Sequence, residues 1–297
     1  MVYTLTLNPA LDCVVELKNL NFDNINRADE QRFYCGGKGI NVSAVLNRLG
    51  VQNTALGIAG GFTGRELIRL AEADGINCDF VLSECINTRV NVKIRAEKEL
   101  DINPSGEGVN SGDLDALMSK LERLHSGDTL VLSGSVPRGI NNDIYADIMR
   151  RLSLRGIKFV VDAEGDLLLN TLKYKPFLIK PNHHELGTIF NTAADSEDEI
   201  LACAKKLKEI GAQNVLVSRA EKGAILVDEN DRVYVQKAAC GTLINSVGCG
   251  DSMVAGFIAG CEKGYEYALR LALACGSATA FSPALATADE IQNLLGK

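Results

Sequence analysis

Short apolar runs bounded by turn residues alternate with helix-period segments along most of this 297-residue chain, and that alternation limits the folds open to it. The runs Val2–Leu7, Thr54–Ile58, Thr129–Leu132, Lys158–Val161, Phe177–Ile179 and Asn214–Val217 read as strands buried on both faces, the pattern of a parallel sheet. Between them, Ile40–Leu49, Arg65–Ala73, Leu114–Leu124, Asp143–Leu154 and Glu199–Ile210 carry apolar residues at helical spacing. The alternation predicts an α/β fold, a mostly parallel sheet covered by helices.

Two segments break the rule. Cys13–Leu17 with Phe33–Cys35, and Arg89–Ala96 with Leu100–Ile102, read as period-2 strands, and residues 89–95 alternate polar and apolar without exception. That is the pattern of a sheet with one wet face. It predicts a small antiparallel flap beside the main sheet, or a plain surface hairpin. No repeat, low-complexity tract or linker divides residues 1–297, so one domain is expected, with Gly296-Lys297 a frayed end.

Composition closes off other classes. A net charge of -7 disfavours a broad basic face, so no nucleic-acid partner is expected, although single basic residues remain free to bind small anions. The nine cysteines are scattered without a Cys-x-x-Cys pair, which excludes a zinc knuckle and a disulfide scaffold and suggests a reduced, cytoplasmic protein. No segment reaches the ~20 apolar residues of a membrane span, and the N-terminus reads as a strand and not a signal peptide.

The strongest motif runs from Asn245 to Phe257. In Gly248-Cys249-Gly250-Asp251 a glycine turn leads into an apolar helix, where free backbone N–H groups and the helix dipole make an anion hole. A carboxylate there suits one of two tasks, capping the helix or accepting a proton from an attacking hydroxyl. The turn alone favours the cap. In Cys35 to Val42, glycines again precede a helix, with Lys38 able to neutralise a phosphate and Asn41 able to read hydroxyls. Neither a Walker loop nor a dinucleotide Gly-x-Gly-x-x-Gly turn is present.

Lys180-Pro181-Asn182 continues into His183, His184 and Glu185 after a strand. Asn182 and Glu185, three apart, share one helix face and could orient water on Mg²⁺. Two adjacent histidines diverge on a helix, so solvated rings are expected in preference to zinc. Asp12, in Asn8-Pro9-Ala10-Leu11-Asp12, falls near the end of the first strand, where open α/β sheets bind ligands or simply turn. Ser133–Gly139 and Ser218–Ala224 follow other strand ends.

Taken in order, Asn-Pro-Ala-x-Asp, Gly-Gly-Lys-Gly-Ile-Asn, Ser-Gly-Ser-x-Pro, Lys-Pro-Asn-x-x-Glu and Val-Gly-x-Gly-Asp-Ser-Met-x-Ala-Gly resemble the ribokinase-like, phosphofructokinase B-type carbohydrate kinases over essentially the whole chain. The resemblance implies a ribokinase-like sheet with helices on both faces and a β-lid from about residues 13–35 and 89–102, which often pairs two subunits into a homodimer. It implies ATP and Mg²⁺ as cofactors and a small sugar phosphate as acceptor: fructose 1-phosphate, with tagatose 6-phosphate as the alternative. Asp251 would be the base and Gly248, Cys249 and Gly250 the anion hole. Asp12, Gly37, Lys38, Asn41, Arg89 and, more weakly, Arg27 would hold the sugar phosphate. Lys180, Asn182, Ser218, Arg219, Ala220, Glu221, Lys222, Gly223 and Gly250 would face the nucleotide, with Glu185 reaching the metal through water.

The family usually has glycine where this chain has Ala220, so a positive φ there would strain the nucleotide loop, and Arg219 could add a phosphate contact. Cys249, commonly alanine, would make the anion hole oxidisable if its thiolate were stabilised. A member of another class, a non-catalytic sensor of sugar phosphate or nucleotide, is the reading that the altered loop leaves open.

Overall fold

The structure, a computed structural model, describes residues 1–296. Its strands are β1 Val2–Thr6, β2 Ala10–Glu16, β3 Glu30–Gly36, β4 Asn53–Gly60, β5 Val81–Ser83, β6 Arg89–Arg95, β7 Leu100–Ile102, β8 Thr129–Ser133, β9 Lys158–Asp162, β10 Leu178–Ile179, β11 Asn214–Ser218, β12 Ala224–Val227 and β13 Val233–Gln236. Its helices are α1 Lys38–Arg48, α2 Gly61–Ala73, α3 Ser111–Leu121, α4 Ile144–Leu152, α5 Gly165–Leu169, α6 His183–Phe190, α7 Glu197–Ile210, α8 Cys249–Gly260, α9 Tyr265–Ala280 and α10 Ala288–Leu295.

Nine strands form one sheet in the order β13-β12-β11-β10-β9-β8-β1-β4-β5, parallel from β11 to β5. The six apolar runs expected as buried strands are β1, β4, β8, β9, β10 and β11. Alternate residues serve opposite cores: Val161, Val215 and Val217 pack with α3, α4 and α7, while Val160 and Leu216 pack with α8 and α9. Burying each such side chain contributes roughly 1.5–3 kcal/mol, and the sheet can be buried on both faces only because helices cover both.

From β1 the main sheet grows first toward β4 and β5, and the chain then returns to place β8 on the other flank of β1. The strand order therefore reverses between β1 and β8. Loops leaving the C-terminal ends of these two strands diverge, and an open crevice results there.

The segments that broke the alternation form a separate sheet in the order β3-β2-β6-β7. β2 follows β1 after only Leu7, Asn8 and Pro9, so the lid strand grows directly out of the central strand. The flap is not wholly antiparallel, because β2 and β6 pair in parallel. Register puts Leu11, Cys13, Val15, Phe33, Val90, Val92, Ile94, Leu100 and Ile102 on one face, and Asp12, Arg32, Asn91, Lys93 and Asp101 on the other.

Three differences from the sequence expectation have local causes. Asn110 accepts a hydrogen bond from the Asp113 amide, so α3 starts at Ser111, ahead of its apolar stripe. The α9 helix was not anticipated because it is buried almost all round and so has no polar face to give it a period. The β12–β13 hairpin adds an antiparallel edge. Of the expected frayed end, Gly296 donates its amide to Gln292 at the close of α10, and Lys297 lies outside the described residues. No helix among the described residues is long and apolar enough to cross a membrane.

Candidate active site

A cavity of about 430 Å³ opens at the reversal point. Thr6 and Asn8 from the end of β1, Gly134 and Ser135 from the end of β8, Glu164 beyond β9, Gly37 and Lys38 at the start of α1, and Arg89 of the lid all line it. Such a volume suits a small polar ligand. The Ser133–Gly139 turn is held open by Tyr145, whose buried hydroxyl donates to the Ser133 carbonyl at 2.9 Å and the Gly134 carbonyl at 3.2 Å.

The glycines at the start of α1 are sterically required. A Cβ at Gly37, whose φ is 135°, would meet the Thr6 methyl at 2.8 Å, and one at Gly39 would meet Thr6 Oγ1 at 2.5 Å. Helix α1 therefore lies directly on β1, and this close packing brings Lys38 and Asn41 to the crevice.

One turn along, Asn41 Nδ2 donates to Asp251 Oδ2 at 2.8 Å. Asp251 is the third residue of α8, and the cap position belongs to Gly248, which has φ 81°. The cap and base readings thus separate: Asp251 does not cap its helix. Its carboxylate is 5 % exposed. Burial first, and then the nearby charge of Asp162, push its pKa up from 3.8 to about 6 against the pull of Asn41, Lys38 and Lys180. Asp251 is not part of the cavity wall; Lys38, which is, supplies the link.

The two lysines share a carboxylate that the sequence reading overlooked. Lys180 Nζ lies 3.3 Å and Lys38 Nζ 3.7 Å from Asp162 Oδ1, with Glu164 Oε1 also 3.7 Å from Lys38. Burial opposes the charge on Lys38, yet Asp162, Asp251 and Glu164 outweigh it and its pKa lies above the ordinary lysine value. A Cβ on Gly250 would sit 3.1 Å from Lys180 Nζ, so the α8 turn and this ammonium group are in near contact. Positive potential from the helix start and from two lysines converges here. The overlooked signal is the acid closing Val160-Val161-Asp162 at a strand end. Asn8, Ser135, Asn142 and Glu164 were likewise not singled out as cavity residues.

Cys249 does not carry a stabilised thiolate. Burial and the Asp251 charge push its thiol up to about 11, so the condition on which an oxidisable anion hole depended is not met.

At the next strand ends, Asn182 and Ser218 form a parallel bridge. Asn182 caps α6, and both Glu185 oxygens are engaged by it: Oε2 accepts from the Asn182 amide at 2.9 Å and Oε1 from its side chain at 2.8 Å. Burial raises the Glu185 pKa above the usual carboxylate value. Among the described residues no group of three His, Cys, Asp or Glu side chains is placed to hold a metal. His184 is exposed, whereas His183 is half-buried with Nδ1 enclosed, so only His184 matches the solvated expectation.

Ala220 adopts φ 49°, the left-handed conformation that glycine adopts freely and alanine only with strain. Gly223, at φ 93°, lies so close to the Gln236 carbonyl that any Cβ would collide. The phosphate contact expected of Arg219 is corrected: its buried guanidinium donates to Glu197 at 2.8 Å and to the Lys222 carbonyl at 3.1 Å. Glu221 and Lys222 are exposed on the turn.

In the lid, Asp12 lies on β2 and not at the end of the first strand, because the chain runs straight on through Pro9. Asn91 donates to it at 2.7 Å, and Lys93 lies 3.6 Å away. Arg89 Nη2 donates to the Asn8 carbonyl at 3.0 Å and Nη1 to the Pro104 carbonyl at 2.9 Å. Arg27 stays on an exposed loop before β3, away from the cavity.

A glycine-led helix start, two lysines and a buried carboxylate of raised pKa thus meet where the strand order of a helix-covered parallel sheet reverses. Residues 2–291 match the model of the pfkB family carbohydrate kinases, and the chain belongs to that family. It is 42% identical over 99% of its length to a 1-phosphofructokinase of Bacillus subtilis, covering 97% of that protein. It is 38% identical to a D-tagatose-1-phosphate kinase of Bacillus licheniformis, covering 98% of this chain and 96% of the other. Among solved structures, phosphofructokinase-2 from Escherichia coli in complex with substrates and products superposes with a TM-score of 0.94 at 28% identity, covering 99% and 98% of the two chains. Ribokinase of Arabidopsis thaliana, at 19% identity and a TM-score of 0.79 over 100% and 98%, shares the fold. The chain is a sugar kinase.

Substituting Ala220→Gly is expected to stabilise the protein by about 1 kcal/mol, since relief of the left-handed strain exceeds the added freedom of the unfolded chain. Urea denaturation of the two proteins checks this.

Proposed function

We propose that the chain transfers the γ-phosphoryl group of ATP to the free primary hydroxyl of fructose 1-phosphate, giving fructose 1,6-bisphosphate and ADP. The observation that carries this reading is the buried Asp251, poised near pH 6 beside two ammonium groups and a helix start. The hydroxyl oxygen forms the new P–O bond, its proton passes to Asp251, and the bond to the bridging oxygen of ADP breaks. Backbone N–H groups of Gly248, Cys249 and Gly250, with Lys38 and Lys180, face the charge that develops. Gly37, Lys38, Asn41 and Arg89 hold the sugar phosphate from the cavity side, with Asp12 closing from the lid. Asn182, Ser218 and the 220–223 turn face the nucleotide. Mg²⁺ would neutralise phosphate charge there, with Glu185 acting through water because Asn182 already occupies both its oxygens. Nine free thiols suit a reducing, cytoplasmic setting.

An ADP-release assay on fructose 1-phosphate, fructose 6-phosphate, tagatose 1-phosphate and tagatose 6-phosphate tests the substrate. The highest kcat/KM is expected on fructose 1-phosphate, and a higher value on any other sugar overturns the choice. The tagatose-1-phosphate kinase relative makes tagatose 1-phosphate the competitor to watch. Binding without turnover on all four would select the sensor reading.

Asp251→Asn is expected to remain folded and to lose roughly 10²–10⁴-fold in kcat. It should also be more stable at pH 7. A carboxyl whose pKa rises from 3.8 to about 6 on folding stabilises the protein below pH 4 and loses that contribution as pH rises through 6. Removing it abolishes this slope and gains up to about 3 kcal/mol at neutral pH. Denaturation at pH 4 and pH 7 gives the comparison.

The apolar lid face supports a homodimer. Phe33, Leu100 and Ile102 are 43%, 38% and 51% exposed on it, a patch that pairing with a second lid would bury. Ile102→Asp is expected to convert dimers to monomers in size-exclusion chromatography coupled to light scattering.

A further inference from the structure

We propose that Asp162 is a positioning residue of the phosphoryl-transfer site, its single buried carboxylate holding the Lys38 and Lys180 ammonium groups together beside Asp251. The inference deepens the phosphoryl-transfer reading above and rests on it.

Asp162 closes β9, and its register neighbours at the same sheet edge are Ser133 of β8 and, beyond it, Thr6 of β1. Asp162 is 2 % exposed, Thr6 3 % and Ser133 0 %. Asp162 Oδ2, Ser133 Oγ and Thr6 Oγ1 are all buried without a hydrogen-bond partner in the protein. Both lysines approach the other carboxylate oxygen, Oδ1, at 3.3 and 3.7 Å, loose separations for a buried ion pair. A pair that served stability alone would be closer and fully hydrogen-bonded, because the cost of burying the charges is otherwise left uncovered. The arrangement instead keeps two like charges near each other and near the α8 turn. Lys180 abuts Gly250 of that turn, and the stem of Lys38 lies against Gly134 at the cavity.

The charged groups that act on Asp251 are therefore Asp162 from β9, Lys38 from α1 and Lys180 from the end of β10, while the Cys249 thiol stays neutral. Neutralising Asp162 has two effects of one sign on that base. Its own repulsion disappears, and the lysines lose the group that compensates them. Both make Asp251 a weaker base, and the two ammonium groups lose their shared anchor.

The test uses the full chain with MgATP and fructose 1-phosphate, comparing wild type, Asp162→Asn and Asp162→Glu. For Asp162→Asn, kcat is expected to fall about 100-fold, and the acid limb of its pH profile to move down by about one pH unit. Substrate ionisation is common to all three proteins and cancels in the difference. Asp162→Glu, which keeps the charge on a longer arm, should lower kcat while leaving the limb in place. An unmoved limb in Asp162→Asn, or an unchanged kcat in Asp162→Glu, overturns the proposal; the second carries the test if the first variant fails to fold. Recovery of the Asp162→Asn rate in excess Mg²⁺ also overturns it, since the carboxylate would then serve the metal. A wild type that releases no ADP with any sugar phosphate refutes the phosphoryl-transfer reading alone. The ¹³C titration of the Asp251 carboxyl in substrate-free protein then decides the proposal, the same downward shift being expected and its absence overturning it.

Discussion

Everything at this site depends on the reversal of strand order between β1 and β8. A parallel sheet brings the C-terminal ends of its strands to one edge, but neighbouring loops ordinarily pack against each other and close that edge. Here the chain builds outward from β1 on one side and returns on the other, so the loops part. Thr6, Ser133 and Asp162 end their strands in register at that gap, and α1 is pressed onto β1 by glycines that leave no room for a Cβ. The chemistry is thus set by topology before any particular side chain is chosen.

Charge does the rest. Asp251, Asp162 and Lys180 are taken out of water together with Lys38 at the cavity edge, and the lysines reach Asp162 only at 3.3 and 3.7 Å. Such a cluster opposes folding relative to a well-packed apolar one, and under the proposed function its value lies in what it makes of Asp251. An aspartate in water is too weak a base to take a proton from an alcohol with any efficiency near neutral pH. Burial and a neighbouring carboxylate strengthen it, while Asn41 fixes one of its oxygens, so basicity and aim are supplied by different elements of the fold.

The sheet was legible because its strands are buried on both faces and so appear as apolar runs with little ambiguity. The lid was legible for the opposite reason: residues 89–95 alternate strictly. What escaped was whatever has no period of its own, such as α9, buried almost all round. At the site, Asp251, Lys38, Asn41 and Lys180 could be found because each sits in a glycine- or proline-marked turn. Asp162 could not, since a lone acid after two valines carries no local signature and acquires meaning only from two lysines distant in sequence. Arg219 misled for a related reason: a cation beside an expected phosphate is indistinguishable, in sequence, from one that pairs with the first turn of α7. The strain at Ala220 was anticipated, because a departure from glycine has a conformational meaning that needs no tertiary contact.

Only Leu7, Asn8 and Pro9 separate the central strand from the lid. Asn8 is also in the cavity wall, where its side-chain amide donates to Ser135 and to the Ser105 carbonyl, while its own carbonyl receives Arg89. The connection to the lid and the cavity wall therefore share Asn8. A ligand that presses on Asn8 pushes on the axle of the lid, and a lid that swings must redraw the surface on which the ligand rests. Any movement of the lid about this connection would therefore be felt at the cavity through Asn8 itself.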